Sequence, residues 1–255
     1  MSAVNRTVHA LVAFTLLMLA WQAIVVFGQY DAALLPPPDA VLRALVEMIQ
    51  NGSFFVHLKA SLLRFSVGYG MAAAAGVLLG LILGRLTRVW AVVDPVVQLL
   101  RPISPIAWSP FVVLLFGIGD VPAVVIIFIA AFFPTLLSTV HGVRRVSPVY
   151  FHVAQNFELK KHQVLLKIVF PAAFPSIAAG LHTAIGTGWV FLVAGEMVGA
   201  QSGLGYLIVD ARNSLRLDMV FAGIVAIGCL GLWLDRSVMF IERWIERRWG
   251  NELTL

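Results

Sequence analysis

Long apolar runs separated by short polar segments dominate the chain. No Asp, Glu, Lys or Arg occurs between Val121 and Leu137, or between Ile168 and Gly195. About 20 apolar residues are needed to cross the hydrocarbon core of a bilayer. Runs of that length predict six transmembrane helices, near residues 8–28, 60–84, 95–116, 121–141, 174–197 and 219–240.

Composition supports a membrane protein. The 255 residues are 60% hydrophobic and only 12% charged, whereas about a quarter of the residues in a soluble domain are charged. The lone Cys229 excludes a disulfide or a thiolate metal cluster within one chain. A net charge of +5 could indicate nucleic-acid binding, but its distribution along the chain is better explained by membrane topology.

Positive charge is concentrated on one side of the predicted membrane. If the N-terminus is cytoplasmic, thirteen of the eighteen Lys and Arg residues face the cytoplasm and five lie outside or at that edge. This arrangement requires an even number of spans and therefore places both termini in the cytoplasm. The first run could instead be a secretory signal peptide with Arg6 as its positive region, but it is long for one and lacks a small-x-small cleavage site.

No linker, repeat or low-complexity tract divides the chain, which predicts one transmembrane domain over residues 1–255. Its charged amphipathic tail, about 241–255, is expected to lie along the cytoplasmic headgroups. Within the second span, glycines recur at multiples of four residues, a spacing that lets helices approach closely. These are Gly68, Gly76, Gly80 and Gly84.

A polar segment, residues 147–167, separates the fourth and fifth predicted spans. Apolar residues there alternate with Lys160, Lys161 and Lys167, as in a helical surface that docks a soluble partner. Ala154, Ile168 and Pro171 stand at the spacing of the cytoplasmic coupling loop of bacterial ABC importer permeases. That loop is usually written E-A-A, three residues, G, nine residues, I-x-L-P, and the segment resembles it.

The segment departs from the family pattern at four positions. His152 replaces Glu, Val153 replaces Ala, Glu158 replaces Gly and Phe170 replaces Leu. Glu favours continuing a helix, whereas Gly accepts the positive φ of a turn without steric cost. We therefore predict that this chain pairs with its own dedicated ATPase and couples poorly to a generic one. The predicted coupling residues are Phe151, His152, Val153, Ala154, Phe157, Glu158, Ile168 and Pro171.

Much of the remaining chain is similar, in collinear order, to the nitrate/sulfonate/taurine-type permeases. The resemblance covers residues from about 34 to about 248 and includes the segments LLRPISPIAWSPFVVLLFGIGD (99–120) and AGEMVGAQSGLGYLIVDARN (194–213). It implies an all-α integral membrane protein, a type I ABC importer permease in the bacterial inner membrane. Its six transmembrane helices would carry the coupling-helix loop between spans four and five.

The resemblance also implies partners and a substrate class. The partners would be ABC ATPase subunits, a second permease copy (homodimer, or heterodimer as the alternative), membrane lipid, and a periplasmic or lipid-anchored solute-binding protein. That protein would dock on outer loops 29–56, 117–121 and 198–217. The substrate would be a small anion such as a sulfonate, taurine or nitrate. The alternative substrate is an uncharged heterocycle or vitamin precursor. The alternative class of protein is a stand-alone secondary carrier or channel.

Two places could line a translocation pathway. Three prolines between Arg101 and Pro110 cannot all lie in an undisturbed helix, and irregular backbone at membrane depth lines a cavity or is buried in protein. Arg101, Ser104, Trp108 and Ser109 are therefore pathway candidates, with a packing kink as the alternative.

The second place is the end of the fifth span, where Trp189 and Glu196 lie in a glycine-rich stretch. An ionisable residue within a span is a functional candidate. The alternative is a structural pairing of Glu196 with Arg64 or Arg212.

Several classes of chemistry are missing from the sequence. The chain has no G-x-x-x-x-G-K-[ST] loop, so ATP would be bound by the partner ATPase and this chain would need no cofactor. Its six histidines form no metal-binding motif, and no nucleophile elbow is present. We expect no catalytic residues, no metal site and no enzymatic activity, which also disfavours a membrane-embedded enzyme.

Overall fold

The computed structural model describes residues 3–28 and 34–249, without the side chains at 3–7, 10, 11, 151–153, 155, 161 and 241–249. Within these ranges the chain is helical. The helices are α1 (Ala3–Phe27), α2 (Pro38–Gln50), α3 (Ser53–Arg85), α4 (Thr87–Leu100), α5 (Ser109–Phe116), α6 (Asp120–Arg144), α7 (Pro148–Asn156), α8 (Lys161–Val164), α9 (Phe170–Gly199), α10 (Leu204–Asn213) and α11 (Leu217–Trp249). A 3₁₀ turn, Pro105–Trp108, precedes α5, and a π-helical turn, Leu165–Val169, joins α8 to α9.

Four described helical stretches are long and apolar enough to cross a membrane: Ser53–Arg85, Asp120–Arg144, His162–Gly199 and Leu217–Phe240. They correspond to the predicted second, fourth, fifth and sixth spans, with longer ends. The predicted third span, 95–116, is not one continuous helix, because α4 and the Pro105–Phe116 stretch meet at an angle of 85°. Counting this bent pair gives five spans.

The predicted first span falls on α1. That helix is 25 residues long, but its apolar stretch among the described residues, Val12–Phe27, is shorter than the other spans. By length and composition alone, the described residues therefore give four or five spans rather than the expected six.

Helix α6 is the centre of the bundle and packs between α3 and α9. Three α3 glycines face it so closely that an added Cβ would lie 2.8 Å from Thr135 Cβ at Gly76, 2.5 Å from Thr139 Cβ at Gly80 and 2.7 Å from Val143 Cβ at Gly84. Small residues permit such contacts between helices in lipid. The prediction that these glycines allow a close helix contact is therefore confirmed, and the structure shows that the partner helix is α6.

The contact between α6 and α9 follows the same rule. A Cβ added at Gly142 would lie 2.7 Å from Ser176 Cβ, and one added at Gly180 would overlap Ser138. Because dispersion contacts fall off steeply with distance, these two seams hold α3, α6 and α9 together as one block. The remaining helices pack around that block.

The bundle has two ends. The first, which we call the clamp end, contains the start of α6, the end of α9 and the loop 200–203. The second, which we call the loop end, contains α7 and α8 between the end of α6 and the start of α9.

Candidate functional site

An ion-pair network joins three helices at the clamp end; it is buried at Arg64 and Glu196, whereas the side chain of Asp120 is exposed. The guanidinium of Arg64 on α3 donates from Nη1 to Glu196 Oε1 of α9 at 2.7 Å and from Nε to Asp120 Oδ1 of α6 at 2.8 Å. It also donates to the carbonyl of Ser202 at 2.7 Å and to Ser202 Oγ at 2.5 Å. We call Arg64, Glu196, Asp120, Ser61 and Ser202 the Arg64 clamp.

The carboxylate of Glu196 has further donors on both oxygens. The Ser61 hydroxyl lies 2.8 Å from Oε1 and 2.9 Å from Oε2, and the backbone N–H of Gly205 donates to Oε2 at 2.9 Å. Ser61 Oγ in turn accepts from the N–H of Leu204 at 2.8 Å. Arg64, Ser61 and Glu196 are 4%, 0% and 1% exposed, so the network satisfies charges that burial would otherwise penalise.

Two glycines let the loop after α9 reach this network. Gly203 has φ +103°, and a Cβ at that residue would overlap Glu196. A Cβ at Gly205 would lie 2.8 Å from Glu196 Cβ. The N–H of Gly203 also donates to His57 Nδ1 at 3.1 Å. The glycine-rich segment after Glu196 is therefore needed for close approach of backbone to the ion pair.

This geometry bears on the two interpretations of Glu196. Its side chain is fully buried within the chain, and its carboxylate is occupied by Arg64, Ser61 and Gly205. The arrangement favours the structural pairing with Arg64. Arg212, the other proposed partner, is exposed and contacts Asn213. Asp120 and Ser202 were not among the candidate residues, because the sequence alone gives no distance between the start of α6 and the loop after α9.

Trp189, the other candidate on α9, is also a packing residue within this chain. It is 7% exposed, stacks edge-on against Phe65 with ring centroids 5.6 Å apart, and donates from Nε1 to the carbonyl of Ile227 at 3.2 Å. Gly231 on α11 allows this approach, since an added Cβ would lie 2.8 Å from Trp189 Nε1. Trp189 therefore connects α9 to both α3 and α11.

The proline-rich segment is broken where the sequence predicted it to be. Arg101 and Ser104 are exposed at the bend, Trp108 is half-buried at the end of the 3₁₀ turn, and Ser109 is buried at the start of α5. Of the four pathway candidates in this segment, Arg101, Ser104 and Trp108 have surface that is accessible to water or to another protein chain, whereas Ser109 is buried.

The exposed face of α9 differs from those of the other spans. At about 100° per residue, its exposed positions up to Val190 fall on one side of the helix. They are Ala172, Pro175, Ala179, Thr183, Gly186 and Val190. From residue 170 to residue 189 this face carries no large apolar side chain, whereas α3 exposes Met71 and Leu78. We call it the α9 small-residue face; a pattern of small residues is visible in the sequence, but its exposure is not.

At the loop end, α7 stops at Asn156 and the chain reverses. Glu158 has φ +50°, a left-handed conformation, and the N–H of Leu159 donates to the carbonyl of Ala154 at 3.0 Å. This bond closes a helix end of the type that glycine usually terminates. The expectation that Glu158 would favour continuing the helix is therefore wrong, because the C-terminal turn overrides its local preference.

The segment 147–167, the predicted coupling loop, is anchored on one side and open on the other. Ala154 is 2% exposed and packs with Val164 and Ile177, with Ile168 partly buried against the same cluster. By contrast, Phe157 is 74% exposed, and Val149 and Tyr150 of α7 are also exposed. Pro171 is half-buried in the first turn of α9. The side chains of Phe151, His152 and Val153 lie outside the described part of the chain.

Together these features define a polytopic helical membrane protein with a block of three tightly packed spans, a broken span, and a short helical loop exposed at one end. The family model of binding-protein-dependent transport system inner membrane components matches residues 76–251. The chain belongs to this family.

Relatives of known name cover nearly the whole chain. A Bacillus subtilis permease named for aliphatic sulfonate transport is 36% identical over 91% of this chain and 83% of its own length. The taurine transport system permease of Escherichia coli is 32% identical over 89% of this chain and 84% of its own length. The nitrate import permease of a Synechocystis strain is 33% identical over 93% of this chain and 88% of its own length.

The fold also has a solved counterpart. An inward-facing structure of the MetNI methionine ABC transporter contains a chain that aligns with a TM-score of 0.62 at 17% identity, covering 73% of this chain and 93% of that one. This likeness supports the expected type I ABC importer permease fold.

Proposed function

We propose that two copies of this ABC importer permease meet along the α9 small-residue face and enclose the translocation pathway between them. The observation that carries this proposal is the contrast between that face and the other exposed surfaces. Lipid is best covered by large apolar side chains such as Met71 and Leu78 of α3, whereas Thr183 and Gly186 leave space and a hydroxyl for water or solute. A homodimer is the simpler assembly, and a heterodimer with a second permease is the alternative.

The broken segment supplies the second wall of this pathway. Ser104 and Arg101 are exposed where α4 and α5 diverge by 85°, and their side chains offer a hydroxyl and a positive charge. Trp108 lies half-buried beside them. In this proposal Glu196 and Trp189 hold the wall in place and do not contact the solute.

Coupling to ATP hydrolysis takes place at the loop end. This chain has no phosphate-binding loop, so ATP is bound by a separate ATPase subunit and this chain catalyses no reaction. The exposed residues Val149 and Tyr150 of α7 form this contact, together with Phe157 just after the end of the helix. Ala154 transmits movement of that surface to the bundle, because its buried cluster includes residues of α3, α6 and α9.

The loop end is cytoplasmic, as are both chain termini. The charge asymmetry supports this orientation, with twelve cytoplasmic Lys and Arg residues against five when Arg101, which this proposal places in the pathway, is left out. A cysteine replacing exposed Phe157 should resist a membrane-impermeant thiol reagent in intact cells, whereas one replacing exposed Ser214, in the turn before α11, should react. The opposite labelling pattern would reverse the orientation.

The solute is a small anion such as a sulfonate, taurine or nitrate, delivered by a solute-binding protein to loops at the clamp end. This class is supported by the names of relatives that align with this chain over more than four fifths of their own length. The exposed Arg101 at the bend provides a matching positive charge. An uncharged heterocycle or vitamin precursor is the alternative solute.

The experiment is ATP-dependent uptake into proteoliposomes that contain the permease and its ATPase, with the binding protein added outside. Taurine, an alkyl sulfonate and nitrate are compared with an uncharged pyrimidine. Saturable uptake of an anion supports the proposal. Uptake of the pyrimidine alone would favour the alternative solute, and ion-gradient-driven uptake without the ATPase would indicate a secondary carrier.

A further inference from the structure

Helix α2 carries three different surfaces around its circumference. At about 100° per residue, Val41, Ala44 and Met48 fall on one face, and all three are at most 5% exposed. They pack with Leu207 and Ala222, so this face is covered by α10 and α11.

A second face of α2 is apolar but uncovered. Leu42, Val46 and Ile49 are spaced four and three residues apart, and they are 63%, 44% and 42% exposed. Partly buried Leu45 lies between them and the covered face. The apolar arc of this helix is therefore wider than its contact with the rest of the chain.

The third face of α2 is charged and adjoins the uncovered apolar face. Asp39 and Arg43 form an i,i+4 ion pair at 2.5 Å with both side chains more than 60% exposed. One further turn along, Glu47 accepts from Arg216 Nη2 at 2.9 Å. A water-facing charged side next to an apolar side is typical of a helix that lies in a membrane interface.

The position of α2 agrees with that interpretation. A sharp turn at Asn51 and Gly52 ties it to the first residue of span α3. Its covered face packs on Met219 and Phe221, in the first two turns of span α11, and on Trp21 of α1. The uncovered face thus lies at the depth of the outermost turns of the spans.

The spans that α2 adjoins also expose apolar surface. Phe55 and Val56 in the first turn of α3 are 56% and 64% exposed. A cavity of about 660 Å³, lined by Leu35 and by apolar residues of α1 and α11, opens between α1 and α11.

We propose that α2 is an interfacial helix, whose Leu42, Val46 and Ile49 insert into the lipid at the boundary between headgroups and acyl chains while its charged face stays in water. Inserted in this way, the helix fixes the depth at which the adjoining ends of α3 and α11 lie in the membrane. Its charged face would lie on the aqueous side, at the same level as the Arg216 loop. The inference depends on the membrane location of the chain but not on its solute or its ATPase.

Spin-label accessibility tests this placement. The complex, with Cys229→Ala, is reconstituted in phosphatidylcholine/phosphatidylglycerol nanodiscs and labelled at Val46→Cys or, as the matched control on the charged face, at Gln50→Cys. Power saturation compares collisions with oxygen, which concentrates in lipid, and with a water-soluble nickel chelate. We expect the label at position 46 to favour oxygen at least several-fold over the chelate, relative to the label at position 50.

Two outcomes would overturn the proposal. Equal access of the chelate to both labels would place the apolar face in water. Shielding of the label at position 46 from both reagents would mean that protein, such as a second copy of this chain, covers the face. Because no transport is measured, neither outcome depends on the proposed solute.

Discussion

The Arg64 clamp allows a sharp test of how the clamp end is held together. The perturbation is Glu196→Ala, which removes the carboxylate and leaves the Arg64 guanidinium buried, with Asp120 as its remaining anionic partner. The variant also leaves the hydroxyl of Ser61 and the N–H of Gly205 without the acceptor they have in the native chain. Asp39→Ala is the matched control, because it breaks an exposed ion pair.

The expected magnitudes differ clearly. Removing one partner of a buried ion pair costs about 3 to 5 kcal/mol, whereas an exposed pair contributes about 0 to 1 kcal/mol. For a chain of this size, 1 kcal/mol corresponds to a shift of about 2 to 4 °C in Tm. We therefore expect Glu196→Ala to lower Tm by about 6 to 20 °C and Asp39→Ala to lower it by less than about 4 °C.

The assay is thermal unfolding of the purified, lipid-reconstituted complex, followed by intrinsic fluorescence and by the loss of intact assembly. Glu196→Gln should give a smaller loss than Glu196→Ala, since the amide oxygen can still accept from Ser61 and Gly205. Equal Tm values for Glu196→Ala and Asp39→Ala would refute the reasoning. A stable Glu196→Ala variant that fails only in transport would instead assign Glu196 to solute contact.

Three further predictions concern the packing seam, the coupling loop and the broken span. Gly80→Ala should destabilise the chain by about 1 to 3 kcal/mol, because the added methyl group would overlap Thr139. Gly70→Ala is the control and should be tolerated, since a Cβ there would have no atom within 4 Å. Equal Tm values for the two variants would contradict the close packing of α3 on α6. Glu158→Gly should relieve about 1 kcal/mol of left-handed strain and slow proteolysis of the loop. It should nevertheless lower substrate-stimulated ATPase activity with the native partner, because it removes an exposed carboxylate from the loop surface proposed to meet the ATPase. Unchanged or improved activity would mark the substitution as tolerated drift. Trp108→Ala should alter transport without loss of assembly, and a fully active variant would indicate a packing kink.

Sequence periodicity predicted features that depend on one element at a time. The charge-free runs located α6, α9 and α11, because crossing a bilayer requires length and apolarity alone. The spacing of Gly76, Gly80 and Gly84 predicted a close helix contact, since only small residues permit one. The three prolines after Arg101 predicted a break, which the structure shows as an 85° bend.

Features that depend on several elements could not be predicted in this way. The sequence suggested Arg64 or Arg212 for Glu196, but only the three-dimensional fold distinguishes the two. Ser202 and Asp120 enter the clamp through a loop and a helix start whose positions no local pattern gives. At Glu158, local helix preference pointed the wrong way, because closure of the α7 end requires a left-handed residue.

The central claim is that the α9 small-residue face lines a pathway that ATP opens and closes. The most direct measurement is the rate at which a charged, hydrophilic thiol reagent modifies Thr183→Cys in the reconstituted complex, with Cys229→Ala as the background and Leu78→Cys on exposed α3 as the control. We predict that position 183 reacts, that its rate differs several-fold between the nucleotide-free and vanadate-trapped states, and that position 78 stays unmodified in both. A Thr183→Cys variant as unreactive as Leu78→Cys in both states would contradict the account.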